Sequence, residues 1–132
     1  MRLWHKNLIE VLPRQQLLGQ WRECCAIAKS IAETGTPNHL LVNKIIDYPL
    51  QQFYNYGLLV AQEMIKRDYK VDIENFVKYF PNILRIKTDK MFEGWHDDRY
   101  LMQCYYNLQE KFDCGGIIFD EWKMIERKVN NG

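Results

Sequence analysis

Residues 13–35 of the chain read PRQQLLGQWRECCAIAKSIAETG, and this stretch decides the fold class. Apolar side chains recur in it every three or four positions, which is the spacing of one helix face. These side chains are Leu17, Trp21, Cys24, Ala28 and Ile31. Pro13 suits a helix start because its missing N–H is not needed there, and Gly35 is a typical stop. The stretch therefore predicts one helix from Pro13 to about Thr34.

A second long amphipathic helix is predicted from Leu50 to Arg67, where an apolar face is wide. Shorter helices are predicted at Leu40–Ile46, from Asp72 or Glu74 to Phe80, from His96-Asp97-Asp98 to Gly115, and at Phe119–Lys128. Residues 83–94 are predicted to be irregular. Neither an internal repeat nor a linker divides the chain. We therefore expect residues 1–132 to form one all-α domain, a compact bundle of two or three long helices plus short helices and irregular loops.

Charge and composition limit the function classes. Lys and Arg number 18 and Asp and Glu number 17, which leaves a formal charge of +1. A DNA-binding surface would therefore have to be a local basic patch that acidic residues elsewhere offset. We expect neither a signal peptide nor a membrane-spanning segment, because the opening residues carry no long apolar run, and the four cysteines lack the spacing of a zinc site. We expect a cytoplasmic protein with reduced thiols, no metal and no cofactor.

Glu23 is the first candidate for chemistry, because it is predicted on the face of the first helix opposite the apolar stripe. Gly19 precedes it by about one turn, and Ala26 follows it by about one turn. A glycine inside a helix lowers helix stability by about 1 kcal/mol relative to alanine, so the presence of Gly19 requires an explanation. Two small residues leave a shallow notch beside the carboxylate, next to Arg22. The alternative interpretation is a solvated helix face with an ordinary Glu–Arg pair.

The run LPRQQLLGQWRE at residues 12–23 resembles the first-helix motif of the pyrimidine-dimer DNA glycosylases of the endonuclease V type. In that motif a leucine and a glutamine precede an aromatic–Arg–Glu triplet. The opening MRLW is similar to the start of bacterial relatives, and three later stretches fit the same layout. They are Asn38-His39, residues 66–69 and residues 107–111. The resemblance spans most of the chain and is carried mainly by the first helix.

This resemblance implies DNA repair by an N-glycosylase that also cleaves abasic sites. An α-amino group attacks C1′ of the sugar and displaces the base, and the Schiff base then allows strand cleavage by β-elimination. Such an amine must be uncharged to attack, and an α-amino group ordinarily titrates near pH 8, at about one unit above neutrality. A nearby carboxylate transfers protons and stabilises the cationic sugar. The implied partner is damaged or abasic double-stranded DNA, and no cofactor is needed.

Two catalytic residues follow from matching this motif. Glu23 takes the position of the carboxylate. Met1 takes the position of the amine, because Met1-Arg2-Leu3 lies where the family has Thr-Arg-Ile, with one residue inserted before Leu12. The bulky Arg2 is expected to prevent removal of the initiator methionine. The DNA-binding residues that the resemblance implies are Arg2, Arg14, Gln16, Arg22, His39 and Lys111.

The sequence also departs from the family at three positions. Gln16 replaces a histidine, Ala26 replaces a basic residue and Asn107 replaces an arginine. Two other functions therefore stay open. One is a DNA-binding protein of the same fold with weakened catalysis, and the other is a helical protein with an unrelated partner.

Further side chains have two interpretations each. His39 either contacts DNA or caps its loop, and the run His96-Asp97-Asp98 either binds a metal or caps a helix. Basic residues later in the chain either contact phosphates or lie in solvent. They are Lys66, Arg67, Lys70, Arg85, Lys87 and Lys90. Five aromatic residues are expected mainly in the core, with one as a candidate wedge in the duplex. They are Trp95, Tyr100, Tyr105, Tyr106 and Trp122.

Overall fold

The computed structural model describes residues 1–83 and 90–131. The α-helices are α1 (Arg14–Thr34), α2 (Leu50–Lys66), α3 (Glu74–Val77), α4 (Asp98–Asp113) and α5 (Phe119–Asn131). Two 3₁₀ helices, Lys6–Val11 and Asn43–Asp47, precede α1 and α2. These described residues include no β-strand, which confirms the all-α prediction. No helix among them is both long and apolar enough to cross a bilayer.

The ends of the long helices follow the local chemistry of the sequence. The Pro13 carbonyl accepts the first helical hydrogen bond of α1 from the Leu17 N–H at 3.0 Å. Gly35 ends α1 in the left-handed conformation, with φ of 82°, which glycine adopts without steric cost. At α4, the Asp97 side chain accepts a hydrogen bond from the Tyr100 N–H at 2.9 Å. The predicted start and stop of α1 and the predicted cap of α4 are confirmed.

The short elements differ from the prediction. The segment predicted as a helix from Leu40 is a turn followed by the 3₁₀ helix Asn43–Asp47, and α3 ends at Val77 rather than Phe80. The 3₁₀ helix Lys6–Val11 was not predicted. Over only four to seven residues, apolar spacing does not distinguish α-helix from 3₁₀ helix, because the two differ by only a fraction of a residue per turn.

Phe76 of α3 lies at the centre of an aromatic cluster between α1 and α2. Its ring is fully buried, and its centroid lies 5.6 Å from those of Trp21 and Phe53. Gly57 of α2 lies against this ring, because a Cβ built on Gly57 would stand 2.2 Å from Cζ of Phe76. The absent side chain thus allows Phe76 to approach the backbone of α2.

Gly57→Ala is expected to destabilise the fold, whereas Gly19→Ala is expected to stabilise it. The new methyl at Gly57 would overlap the buried Phe76 ring, and such overpacking typically costs about 1–3 kcal/mol. At Gly19 the nearest atom to a new methyl is Nη2 of Arg22 at 3.8 Å, so helix propensity decides and the gain is about 0.5–1 kcal/mol. The midpoint of thermal unfolding, measured for both variants and for the unaltered protein, tests both expectations. An unchanged midpoint in Gly57→Ala would contradict the packing.

Candidate active site

The amino-terminal segment, residues 1–5, has no regular secondary structure, and it passes from the exposed Met1 into the interior of the protein. Leu3 is fully buried, and Trp4 and His5 are nearly so. The segment has no neighbouring strand to satisfy its backbone, and buried backbone polar groups need partners. Side chains from α1, α2 and α4 and from the residue His96 supply these partners.

Gln20 of α1 binds the main chain of this segment on both sides of Leu3. Its Nε2 donates to the Arg2 carbonyl at 3.0 Å, and its Oε1 accepts from the Trp4 N–H at 2.7 Å. The Tyr56 hydroxyl of α2 donates to the Trp4 carbonyl at 2.6 Å and lies 3.0 Å from Oε1 of Gln20. Gln20 itself is only 1% exposed. One amide side chain therefore does for residues 2–4 what a neighbouring strand does in a sheet.

The opposite side of the segment is bound from α4 and from the residues before it. The Tyr100 hydroxyl donates to the Leu3 carbonyl, and the Lys6 N–H donates to Nδ1 of His96 at 3.0 Å. Burial lowers the pKa of His96 to about 2, so its ring is neutral and Nδ1 can accept. Burial also raises the pKa of Tyr56 and of Tyr100, which keeps both hydroxyls protonated as donors.

Glu23 lies on α1 one turn after Gln20 and is half-buried. Within residues 1–83 and 90–131 its carboxylate has no hydrogen bond or ion pair, so it is available to a ligand. Burial chiefly raises the pKa of Tyr56, and the charge of Glu23 contributes to the same shift. Its charge therefore adds slightly to the preference of Tyr56 for the protonated form that donates to the Trp4 carbonyl.

The predicted location of Glu23 opposite the apolar stripe was wrong. Gln20 and Ile27, which flank it by about one turn on either side, are both buried. The core-facing stripe of α1 is therefore wider than the five residues that defined it, and Glu23 lies at its edge. At this position the carboxylate is only partly buried, so a ligand can reach it from solvent.

Arg22 and Gly19 form the solvent side of the same region. Arg22 is exposed, and its Nη2 lies 3.8 Å from the position of a Cβ on Gly19. The predicted notch at Gly19 is therefore partly covered by the Arg22 guanidinium. At the amino terminus, the Arg2 guanidinium lies over the Trp4 ring at 5.4 Å, and Met1 is 44% exposed.

The remaining predicted DNA-binding residues are spread over the molecule. Gln16 lies almost two turns before Glu23 on the same face of α1, and its Oε1 is buried without a partner among the described residues. Arg14 lies about 180° around the helix from Glu23 and places its guanidinium over the Tyr69 ring at 5.3 Å. Lys111 is exposed in the last turn of α4. Only Gln16 of these three shares the face of Glu23.

His39 caps its own turn, because its Nδ1 accepts from the Leu41 N–H at 3.3 Å. Arg67 is also structural: its guanidinium donates to the Leu12 carbonyl at 2.8 Å and to the Glu10 carbonyl at 3.2 Å. It forms an ion pair with Glu63 as well, at 2.8 Å. The basic candidates Arg85 and Lys87 lie outside the described residues.

In the run His96-Asp97-Asp98, two side chains accept hydrogen bonds from backbone N–H groups. His96 accepts from the Lys6 N–H, and Asp97 caps α4, as described above. In the described parts of the chain no three His, Cys, Asp or Glu side chains are grouped as metal ligands would be.

A family model described as pyrimidine dimer DNA glycosylase matches residues 1–76, which is more than half of the chain. The chain belongs to this family. The match includes the amino-terminal segment, Gln20, Glu23 and Tyr56, so the contacts of Gln20 and Tyr56 lie wholly within the family's region. Membership in the pyrimidine dimer DNA glycosylase family connects the chain with DNA repair and with DNA as its substrate. Lys111 and Asn107 lie beyond the matched residues. Neither a curated protein nor a solved structure matches the chain.

The sequence did not predict this holding role for any of the four side chains that bind the amino-terminal segment and the residue after it in this family member. They are Gln20, Tyr56, His96 and Tyr100. A signal existed for one of them. At 100° per residue, Gln20 falls inside the apolar stripe of α1 once Ile27 is included, and an amide there needs a buried partner. The other three donate or accept across long sequence separations that periodicity does not reveal.

Proposed function

We propose that this protein is a DNA-repair N-glycosylase with abasic-site lyase activity on damaged or abasic double-stranded DNA. The α-amino group of Met1 is the nucleophile, and Glu23 is the acid/base. The resemblance of residues 12–23 to the family motif suggests these roles, and the family match to residues 1–76 supports the substrate class.

The observation that carries the proposal is the contact of Gln20 with the amino-terminal segment. The Arg2 carbonyl is bound by Nε2 of Gln20 at 3.0 Å, and Glu23 follows Gln20 by about one helical turn. The residue that bears the amine is therefore adjacent to a backbone group held at the same part of α1. Catalysis by an amine requires such positioning, because reacting groups held in place avoid most of the entropic cost of encounter.

The chemistry assigns each proton a place. The uncharged amine of Met1 attacks C1′, the glycosidic bond breaks, and the electron pair leaves with the base, which takes up a proton from water. Glu23 accepts the proton that the amine loses and delivers it to the ring oxygen as the sugar opens. Glu23, ionised again, then accepts a proton from C2′, the electron pair of that C–H bond forms the new double bond, and the C3′–O bond breaks as the phosphate leaves. The ionised Glu23 also stabilises the cationic sugar formed in the first step.

The proposed DNA contacts divide into two groups. Arg2, Gln16 and Arg22 lie along the amino terminus and α1 near Glu23, and the two arginines can bind the phosphates that flank the reacting sugar. For Arg14, His39 and Lys111 the proposed DNA contact rests on the resemblance alone.

The proposed function is tested by incision of a duplex that contains one abasic site, together with binding across a salt series. We expect strand cleavage without added metal, and an affinity that falls steeply as salt rises, because each neutralised phosphate releases counterions. Arg22→Ala should weaken binding, whereas Lys29→Ala, an exposed cation two turns further along α1, is the matched control.

Two outcomes would replace the proposal. Binding without incision would identify a DNA-binding protein with weakened catalysis, which the departures at Gln16, Ala26 and Asn107 favour. Affinity that is absent at low salt, or that does not change with salt, would remove duplex DNA as the ligand.

A further inference from the structure

Two adjacent leucines lie exposed in the turn between α1 and the 3₁₀ helix Asn43–Asp47. Leu40 is 86% exposed and Leu41 is 52% exposed. Single exposed apolar residues are common on protein surfaces, but neighbouring ones at the tip of one turn form a patch. The residue that follows, Val42, is fully buried, so the turn is fixed to the core directly behind the pair.

The turn presents this leucine pair, Leu40 and Leu41, rigidly. The His39 N–H donates to Oδ1 of Asn43 at 3.0 Å, and the His39 carbonyl accepts from the Val42 and Asn43 N–H groups at 3.0 and 2.9 Å. The Leu41 N–H is held by Nδ1 of His39. A turn whose backbone is held in this way loses little backbone freedom on binding, which favours insertion of its side chains into another molecule.

The leucine pair borders the candidate active site. Both leucines line a cavity of about 340 Å³ together with Trp95 and Tyr100, and Leu41 and Tyr100 also line a neighbouring cavity of about 310 Å³ with Arg2. The two cavities share Leu41 and Tyr100, so Arg2, the residue next to Met1, and the exposed pair line neighbouring parts of the surface.

The charges around the leucine pair suit a polyanion. Lys44 and Arg99 line the first cavity, and Arg2 lines the second. Among the described residues, Asp97 is the one carboxylate in this lining, and it is already bound to the Tyr100 N–H as the cap of α4. Cations can therefore contact phosphates on either side, while the two leucines meet the apolar faces of the bases between them.

We propose that Leu40 and Leu41 form a wedge that enters the base stack of duplex DNA beside the reacting nucleotide and unstacks it. This inference rests on the proposed function, because DNA must be bound at the amino-terminal site for the wedge to reach the bases. The pair unstacks a base step so that the sugar becomes accessible to Met1 and Glu23. Apolar insertion of this kind requires bases and would contribute nothing to binding phosphates alone.

The test uses the full chain and a duplex with 2-aminopurine next to a tetrahydrofuran abasic analogue, which cannot form a Schiff base. Binding of the unaltered protein should raise the fluorescence as the base unstacks. Leu40→Ser with Leu41→Ser should lose most of this rise and bind about tenfold more weakly. Leu40→Met with Leu41→Met should retain both. The matched control is Ile118→Ser with Phe119→Ser, whose residues are 65% and 61% exposed at the start of α5 and line neither cavity.

The outcomes separate the wedge from the proposed function. If the unaltered protein cleaves an ordinary abasic duplex, and the variant with Leu40→Ser and Leu41→Ser keeps the full fluorescence rise and affinity, the wedge is wrong and the glycosylase proposal stands. An equal loss in the control at 118 and 119 would also overturn the wedge, because the effect would then be general. Failure of the unaltered protein to bind or cleave any duplex would overturn both.

Discussion

Glu23→Gln is expected to abolish strand incision at abasic sites while the protein stays folded and keeps most of its DNA affinity. Glutamine has nearly the shape of glutamate but neither accepts nor delivers a proton. A general acid–base group typically contributes about 10²–10⁴ in rate, and the loss should fall on the chemical step. Single-turnover incision of an abasic duplex, measured beside the affinity for the same duplex, gives both quantities.

The control for this variant is Glu33→Gln, which makes the same change at an exposed position near the end of α1. It should incise at the rate of the unaltered protein. If Glu23→Gln also incises at that rate, Glu23 is a solvated helix residue, and the motif in residues 12–23 carries no mechanism. Since the Glu23 carboxylate has no ion pair among the described residues, the substitution breaks none of the fold's ion pairs.

Extra residues in front of Met1 are expected to eliminate covalent trapping. A protein that begins at Met1 with a free amine should form an imine with the opened abasic sugar. Borohydride should reduce this imine to a stable adduct, and peptide mapping should locate that adduct at Met1. An amino-terminal extension converts the amine into an amide, which is not nucleophilic, and it places the new terminus away from Glu23. We expect adduct formation to fall below detection.

A removable extension supplies the matched control for trapping. Proteolytic release that leaves Met1 as the first residue should restore the adduct, which shows that the extension acted through the amine and not through misfolding. An adduct mapped to Lys6 or Lys111 would assign the nucleophile to a lysine instead. The ammonium group of Lys6 already donates a hydrogen bond to the Met91 carbonyl at 3.0 Å. For Lys6 to act as the nucleophile, that hydrogen bond would have to break.

Local sequence determined the helices. The spacing of Leu17, Trp21 and Cys24 predicted α1, Pro13 and Gly35 predicted its ends, and Asp97 predicted the start of α4. Each of these signals acts within a turn or two of the residue that carries it, so a single segment of sequence contains it. The motif in residues 12–23 likewise indicated the family and Glu23 without any tertiary information.

Only the tertiary structure decided what surrounds Glu23. Gln20 binds the main chain of residues 2 and 4, and Tyr56 and Tyr100 reach the same segment from α2 and α4 across 52 and 97 residues of sequence. These contacts depend on how the helices pack, which the periodicity of any one helix leaves open. The amino-terminal segment has no periodic pattern of its own, and its backbone partners are distant side chains, so no local signal predicts where it lies. The resemblance of the sequence to the family therefore indicated Met1 as the candidate amine. Helix packing alone brought the amino-terminal segment to α1.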